Sequence, residues 1–335
     1  MPMQPYIQQL ELGQSLSQAQ AYAAFDQLFL GKTDEADVAK LLLALKAKGE
    51  TIDEITGAAE AMRDAMRLFD APEDAMDVCG TGGDAKGTYN ISTTAAIVLA
   101  ACGVPMVKHG NRAVSSQSGS TDVLSALGVG ITDDVDQLQR CLEHANICYL
   151  AAPHFHPAMK HVAPVRAKLQ TRTIFNLLGP LCNPARVKYQ LMGVYDEALC
   201  TPLAQVLAKL GSTAVAVVHG KEGLDELSIS GPSRVAQLVD GDIASYEMTP
   251  DKAALPVHPF EELIGGDAQH NAAALTRLLD GEHSAYRDAV LLNASAALIV
   301  SDKVDDPESG VALAAEAIDS GRAKATLATL VEHSN

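Results

Sequence analysis

From residue 76 onward, short apolar runs of strand length alternate with segments of helical spacing. This alternation limits the possible folds more than any other feature of the chain. MDV (76–78) runs into a glycine-rich turn, and STTAAIVLAACG (92–103) reads as a helix stopped by Gly103. PMVKH (105–109) is a second strand and TDVLSALG (121–128) a second helix. ICYLAA (147–152), YQLMGVY (189–195) and TAVAVVHG (213–220) are further strands, with TPLAQVLAKLG (201–211) as a helix between the last two. Continuous apolar strands separated by helices build a mainly parallel sheet covered by helices, so the expected class is α/β.

The first 72 residues have a different texture. Residues 14–71 read as helices throughout, with Ser15 and Gln18 as the expected cap of the first and Gly49 ending LLLALKAKG. Thr51 caps the next, with Glu54 in the box position, and apolar residues recur at helical spacing through Ile55, Ala58, Met62, Met66 and Phe69. At 335 residues the chain can hold two domains. The expected division is a small helical domain over 1–72, with about 166–188 packing back onto it, and a large α/β domain over 73–165 and 189–335. The tail, from GEHSAYRDAVLLNASAALIV onward, reads as helical, terminal and structural.

Charge narrows the function. The formal net charge of -17 should repel nucleic acid and anionic membranes. Yet no acid occurs between Asp84 and Asp122, where Lys86, Lys108, His109 and Arg112 lie. None occurs between Glu143 and Asp196 either, a window holding Lys160, Arg166, Lys168, Arg172, Arg186, Lys188 and four histidines. Two acid-free windows in so acidic a chain read as the walls of an anion site. There is no apolar run of 18 residues and no signal-peptide pattern at the start. Six cysteines without metal-ligand spacing fit a reduced, cytoplasmic setting.

Four segments could carry chemistry. In CGTGGDAKGTYNIST (79–93) a strand meets three glycines, and the chain then opens a helix. Backbone N–H groups can approach an oxyanion there, and the helix dipole adds to them. The spacing is neither GxGxxG nor GxxxxGK(S/T), so neither nucleotide class is supported. In VKHGNRAVSSQSGSTD (107–122), Lys108 and His109 end a strand and Gly110 with Asn111 turns the chain. Arg112, Ser115, Ser116, Ser118 and Ser120 offer donors ahead of a helix expected to start near Asp122. In APHFHPAMKHVAPVR (152–166), His154, His156 and His161 lack zinc spacing, whereas Arg166, with no acid near it in sequence, is available for a ligand carboxylate or phosphate. In HGKEGLDELS (219–228), Glu222, Asp225 and Glu226 place hard oxygen ligands at a strand end, as magnesium beside a polyphosphate requires. Cys79 reads as a core residue, since no base is placed for it.

Together these segments resemble the anthranilate phosphoribosyltransferases of tryptophan biosynthesis. GTGGD (80–84), NIST (90–93), KHGNRAVSS (108–116), SGS (118–120), HFHPAMKHVAPVR (154–166), RTIFNLLGPLCNP (172–184) and GLDE (223–226) are similar to that family's motifs in order. With KGETIDEI near the start, the resemblance covers essentially the whole chain. It implies transfer of the 5-phosphoribosyl group from phosphoribosyl pyrophosphate (PRPP) to the amine of anthranilate, with Mg2+ required at two ions per subunit. It further implies a homodimer with a ligand cleft at the hinge between a small helical and a large α/β domain.

Residue by residue, the resemblance puts Gly80, Gly83, Asp84, Thr88, Asn90, Ile91, Ser92 and Thr93 around PRPP, Ser92 also reaching a metal. The loop Lys108, His109, Gly110, Asn111, Arg112, Ala113, Val114, Ser115 and Ser116 would fold over pyrophosphate and ribose, and Ser120 would contribute from the helix start. Asn111 and Arg166 would contact anthranilate, Arg166 through its carboxylate, with Gly80 nearby. Asp225 and Glu226 would hold the Mg2+ ions. Gln117 stands where a lysine is frequent in the family. Lys108, Asn111 and Arg166 are the expected catalytic residues, in a reaction needing no nucleophilic side chain. Two other readings are a pyrimidine nucleoside phosphorylase of the same general architecture and a non-enzymatic relative that binds nucleic acid. Segments 154–166 and 172–184 and the acidic LDE speak against the first. The charge speaks against the second.

Overall fold

The computed structural model describes residues 2–112 and 117–335. Among the described residues seven strands form one sheet, in the order β3-β2-β1-β4-β5-β6-β7. They are β1 (Met76–Gly80), β2 (Met106–Gly110), β3 (Ile147–Ala151), β4 (Tyr189–Gly193), β5 (Ala214–Gly220), β6 (Ser233–Val239) and β7 (Asp242–Met248). The first five pair in parallel, and β6 and β7 add an antiparallel edge. Strand order therefore reverses between β1 and β4, the kind of crevice where open α/β sheets take ligands.

Four helices precede the sheet: α1 (Gln4–Glu11), α2 (Gln18–Phe29), α3 (Glu35–Lys48) and α4 (Ile52–Asp64). Between strands lie α5 (Ile91–Ala101), α6 (Ser120–Ala126), α7 (Val135–Ala145), α8 (Ala152–Phe155), α9 (Ala163–Leu169), α10 (Phe175–Leu181) and α11 (Cys200–Lys209). After the sheet come α12 (Ala268–Leu279), α13 (Ala285–Val300), α14 (Pro307–Asp319) and α15 (Arg322–His333). Among the described residues no helix is long and apolar enough to cross a membrane.

The sheet divides the apolar interior by its period of two. Leu191, Ala216, Val218 and Val235 join a core with α5, α13, α14 and α15. Their neighbours Met192, Val215, Val217 and Ala236 join the other core, shared with α11, the N-terminal helices and segment 162–182. Phe175 of α10 meets Phe25 and Phe29 of α2 edge-on, with ring centroids 5.8 and 6.1 Å apart.

Two local expectations need correction. The cap of α2 is Ser17, with Gln20 completing the box, rather than Ser15 with Gln18. The Ser17 hydroxyl accepts from Gln20 N–H at 3.3 Å and the Gln20 side chain from Ser17 N–H at 2.9 Å, while the buried Leu16 just before them donates its N–H to the buried Glu54 carboxylate at 2.9 Å. Helix α4 stops at Asp64, although apolar spacing continues to Phe69. Met66 and Phe69 are buried, but the chain there is no longer helical. Its amides turn outward, Arg67 N–H donating to the Phe155 carbonyl and Phe69 N–H to that of Pro184. A hydrophobic period continued past the helix because the same core continues past it.

Candidate active site

The two strands that carry the glycine turn and the KHG turn part almost at once. Strands β1 and β2 pair only at Met76–Met106, whereas β1 and β4 pair over five positions. Side chains fill the gap. Buried Asp77 accepts from His109 N–H at 3.2 Å and from the Asn183 amide at 2.9 Å, and Asn183 also reaches the Val107 carbonyl. The Lys108 ammonium donates to the Val78 carbonyl at 2.6 Å. Asp77 is pushed up by burial, with Lys108 the main opposing influence. Lys108 lies in strand β2, as the apolar pattern of PMVKH expects, rather than on the loop that follows it; it is 2% exposed, and its charge acts on the Asp77 and Glu226 carboxyls, lowering both. A backbone carbonyl released from the ladder must find a donor, and the only long cation on the adjacent strand supplies it.

The glycine turn meets the acidic motif directly. Gly82 and Gly83 have φ of 64° and 76°, conformations that favour glycine. Gly82 N–H donates to Asp225 Oδ2 at 2.7 Å, and Ser92 N–H, in the first turn of α5, donates to Glu226 Oε1 at 3.2 Å. Burial and then Asp84 push the Asp225 carboxyl up; burial and then Asp225 push Glu226 up, with Lys108 opposing. These crowded carboxylates lie over the ends of β1 and β4, and a close approach brings them there. A side chain at Gly193 would overlap the Asp225 carbonyl, and one at Gly80 its carboxylate. Nothing local in the sequence marks Gly193, a glycine at the end of an apolar strand.

The second loop comes to the same place. Thr93 of α5 donates its hydroxyl to Ser120 Oγ at 3.0 Å, and the Asn90 amide donates to the Ser118 carbonyl at 3.1 Å. The helix after the loop starts at Ser120, and its own Asp122 accepts from Gly119 N–H at 3.0 Å, so part of the expected anion-facing end is taken by the chain itself. Asn111 and Arg112 are exposed, Arg112 facing Asp122 at 3.3 Å. Ala113, Val114, Ser115 and Ser116 lie outside the described residues. Thr88 bridges to Ile264, and Asp84 accepts from Lys86 N–H.

Arg166 on α9 lies over the Phe175 ring at 5.4 Å, and among the described residues no carboxylate pairs with it. Its guanidinium is pushed down by burial. Arg172 lies over the Tyr195 ring at 4.1 Å and donates to the Gly83 carbonyl, joining the 166–188 segment to the glycine turn. The three histidines of 154–161 diverge: His154 meets the Thr132 carbonyl, His161 packs beneath Gly31, and His156 Nε2 pairs with His109 Nε2 at 3.2 Å. Burial lowers both paired histidines, His156 to about 4. Cys79 is buried and its thiol pushed well up by burial, as suits a core residue.

The tail is more than terminal packing. Leu227 N–H donates to the Asn293 side chain at 2.9 Å, and Asn293 returns a bond to the Leu227 carbonyl, holding the β5–β6 connection next to Asp225 and Glu226. The single signal for it was an asparagine inside the apolar run LLNASAALIV. A buried amide in such a run needs partners.

Comparison with known proteins agrees with this geometry. Residues 4–66 match the helical bundle domain of a glycosyl transferase family, and residues 72–324 match its a/b domain. Anthranilate phosphoribosyltransferase of Beijerinckia indica is 54% identical over 331 residues, covering 99% of this chain and 97% of that protein. That of Rhodopseudomonas palustris is 54% identical over 323 residues, covering 96% and 95%. Among solved structures, the Thermus thermophilus enzyme superposes with a TM-score of 0.93 at 41% identity, covering 98% of this chain and 99% of its own. The Saccharomyces cerevisiae enzyme, in complex with PRPP and Mg, has a TM-score of 0.92 at 27% identity, with 99% and 97% covered. With its two-part fold, its glycine turn against paired carboxylates and near-complete overlap with these relatives, the chain belongs to the anthranilate phosphoribosyltransferase family.

Proposed function

We propose that this cleft transfers the 5-phosphoribosyl group from PRPP to the amine of anthranilate, giving N-(5-phosphoribosyl)anthranilate and pyrophosphate in tryptophan biosynthesis. The observation that carries the reading is the meeting of the glycine turn, the start of α5 and the Asp225–Glu226 pair at one strand end. Gly80, Gly83, Asp84, Thr88 and residues 90–93 take PRPP, with Ser120 contributing from α6. Lys108 acts from within the sheet, offsetting negative charge at Glu226 rather than gripping pyrophosphate from the loop.

The residues fit a hard divalent cation. Asp225 and Glu226 are adjacent carboxylates raised by burial and by a neighbouring carboxylate, Asp84 for the first and Asp225 for the second, so positive charge placed beside them relieves both. They would hold Mg2+ with the Ser92 hydroxyl, at two ions per subunit. When bound, Mg2+ stabilises the negative charge that gathers on departing pyrophosphate. Arg166 orients anthranilate by its carboxylate, with Asn111 beside it. The ring amine then faces the ribose carbon opposite the leaving group. The amine is weakly basic and loses its proton readily once the C–N bond forms, so positioning and electrostatics supply the catalysis.

We read residues 1–72 with 166–188 as one body and the remainder as the other, the cleft between them, and the functional unit as a cytoplasmic homodimer. Leu12, Leu30 and Leu43, exposed on the helical part, suit a subunit contact, and light scattering at the mass of one chain would exclude it. The reaction is tested by loss of anthranilate fluorescence with purified protein, PRPP and Mg2+. Loss requiring all three supports it; no loss from folded protein, with phosphorolysis of thymidine or uridine instead, overturns it.

Arg166→Ala is expected to raise the apparent KM for anthranilate about tenfold or more, the loss of a charge-assisted bond, while that for PRPP holds. An effect confined to PRPP would remove Arg166 from the anthranilate side.

A further inference from the structure

The carboxy-terminal layer reaches the start of α5 through two buried side chains to which no role has been given. Asn90 stands at the N-cap of α5, yet its side chain does not cap that helix. Its amide donates to the Ser118 carbonyl at 3.1 Å, and its Oδ1 accepts from Asn271 Nδ2 at 2.9 Å. Asn271, on α12, is 1% exposed, and its own Oδ1 accepts from Gly266 N–H at 2.8 Å. The segment before α12 is laced to the glycine loop: Gly265 N–H donates to the Gly87 carbonyl at 2.9 Å, and Tyr89 N–H to that of Leu263 at 3.0 Å. Gly265 has no room for a side chain, since a Cβ there would meet Asn271 Oδ1 at 2.7 Å.

Tyr286, on α13, closes the other side. Its hydroxyl lies 3.3 Å from the Asn90 carbonyl and shares a hydrogen bond with that of Thr94, which lies 3.0 Å from the same carbonyl; with one O–H apiece the two hydroxyls donate two of these three bonds at a time, at least one of them to Asn90. Its ring stacks on that of Tyr89 at 4.5 Å.

An asparagine amide can be placed either way round, and each choice exchanges donor for acceptor. The orientation of Asn90 matters, because only its NH2 end can bond the Ser118 carbonyl across to the second loop. Asn271 makes the shorter of two bonds to that oxygen, the other coming from the Ser118 hydroxyl at 3.4 Å, and it can offer only an N–H, since its own oxygen is committed to Gly266, so Asn90 must turn its oxygen toward it. We propose that Asn271 is a positioning residue that sets the Asn90 amide, and thereby the relation of the two PRPP loops, with Tyr286 fixing the Asn90 backbone. This rests on the assignment of residues 90–93 and 118–120 to the PRPP side of the cleft.

The test compares Asn90→Ala, Asn271→Ala, Asn271→Asp, Tyr286→Phe and the double variant Asn90→Ala/Asn271→Ala in steady-state kinetics, with thermal melting on each. Asn271→Asp keeps the shape and the acceptor for Gly266 but removes the N–H, so Asn90 must reverse or lose its partner. It is expected to raise the apparent KM for PRPP about tenfold with that for anthranilate unchanged, as is Asn271→Ala. Tyr286→Phe, which removes only a hydroxyl, should raise it a few-fold and serves if the Asn271 variants fold poorly. In the double variant, Asn271→Ala should add nothing to the effect of Asn90→Ala on KM for PRPP. A lowered melting temperature with KM for PRPP unchanged in Asn271→Asp and Tyr286→Phe would make these residues packing alone and overturn the proposal. So would additive effects in the double variant. If Asn90→Ala itself leaves KM for PRPP unchanged, the assignment of the loop falls first, and the positioning role with it.

Discussion

Asp225→Asn is expected to lower kcat by about 10²–10³ and to raise the Mg2+ concentration needed for half-maximal rate, while leaving the protein as stable as before or slightly more so. The amide retains an oxygen to accept from Gly82 N–H, so the glycine turn keeps its anchor. What disappears is a buried negative charge close to Asp84 and Glu226. Such crowding opposes folding and is useful only when a cation is drawn in, so the neutral isostere separates stability from function. Thermal melting beside a Mg2+ titration of the rate distinguishes the cases. An unchanged Mg2+ dependence would remove Asp225 from the metal site. A large fall in melting temperature would make its charge structural.

Gly193→Ala should be nearly as damaging by an unrelated route. No side chain at residue 193 points into the site, and none is needed there. The last residue of β4 lies against the backbone of Asp225, and a Cβ would overlap its carbonyl oxygen. The backbone that must yield is held on its other side by Asn293 through Leu227, so it cannot move alone. Overpacking of this kind costs about 1–3 kcal/mol or more, and a displacement of about 1 Å at a catalytic group costs about a hundredfold in rate. The expected result is a lowered melting temperature together with kcat reduced about a hundredfold. Wild-type values for both would mean that the segment carrying Asp225 has slack that the packing does not suggest.

The five parallel strands and the glycine turn were legible because each rests on local chemistry, whereas the antiparallel edge strands β6 and β7 were not singled out. Apolar runs of about five residues alternate with helical spacing, and a chain reversal needing positive φ recruits glycine, as at Gly82 and Gly83. The acid-free windows were legible for a similar reason: they mark where the chain avoids its own negative charge. The helix boundaries misread, at Ser17 and Asp64, are those where a distant group wins. Glu54 holds the amide of Leu16, and carbonyls from other segments take the amides of Arg67 and Phe69.

The site itself divides in the same way. Residue types and their order pointed to phosphate, carboxylate and metal chemistry along one chain, and those properties belong to the residues wherever they lie. Tertiary structure alone decided that Lys108 turns into the sheet to satisfy a carbonyl that β2 leaves unpaired. It alone brought Gly193 against Asp225, set Asn293, from a helix that read as mere tail, beside Leu227, and set Asn271, from a helix the sequence did not flag, beside Asn90. A backbone group's need for a partner is written at every position, but the identity of that partner is settled only when segments some 30 to 140 residues apart come within hydrogen-bond reach.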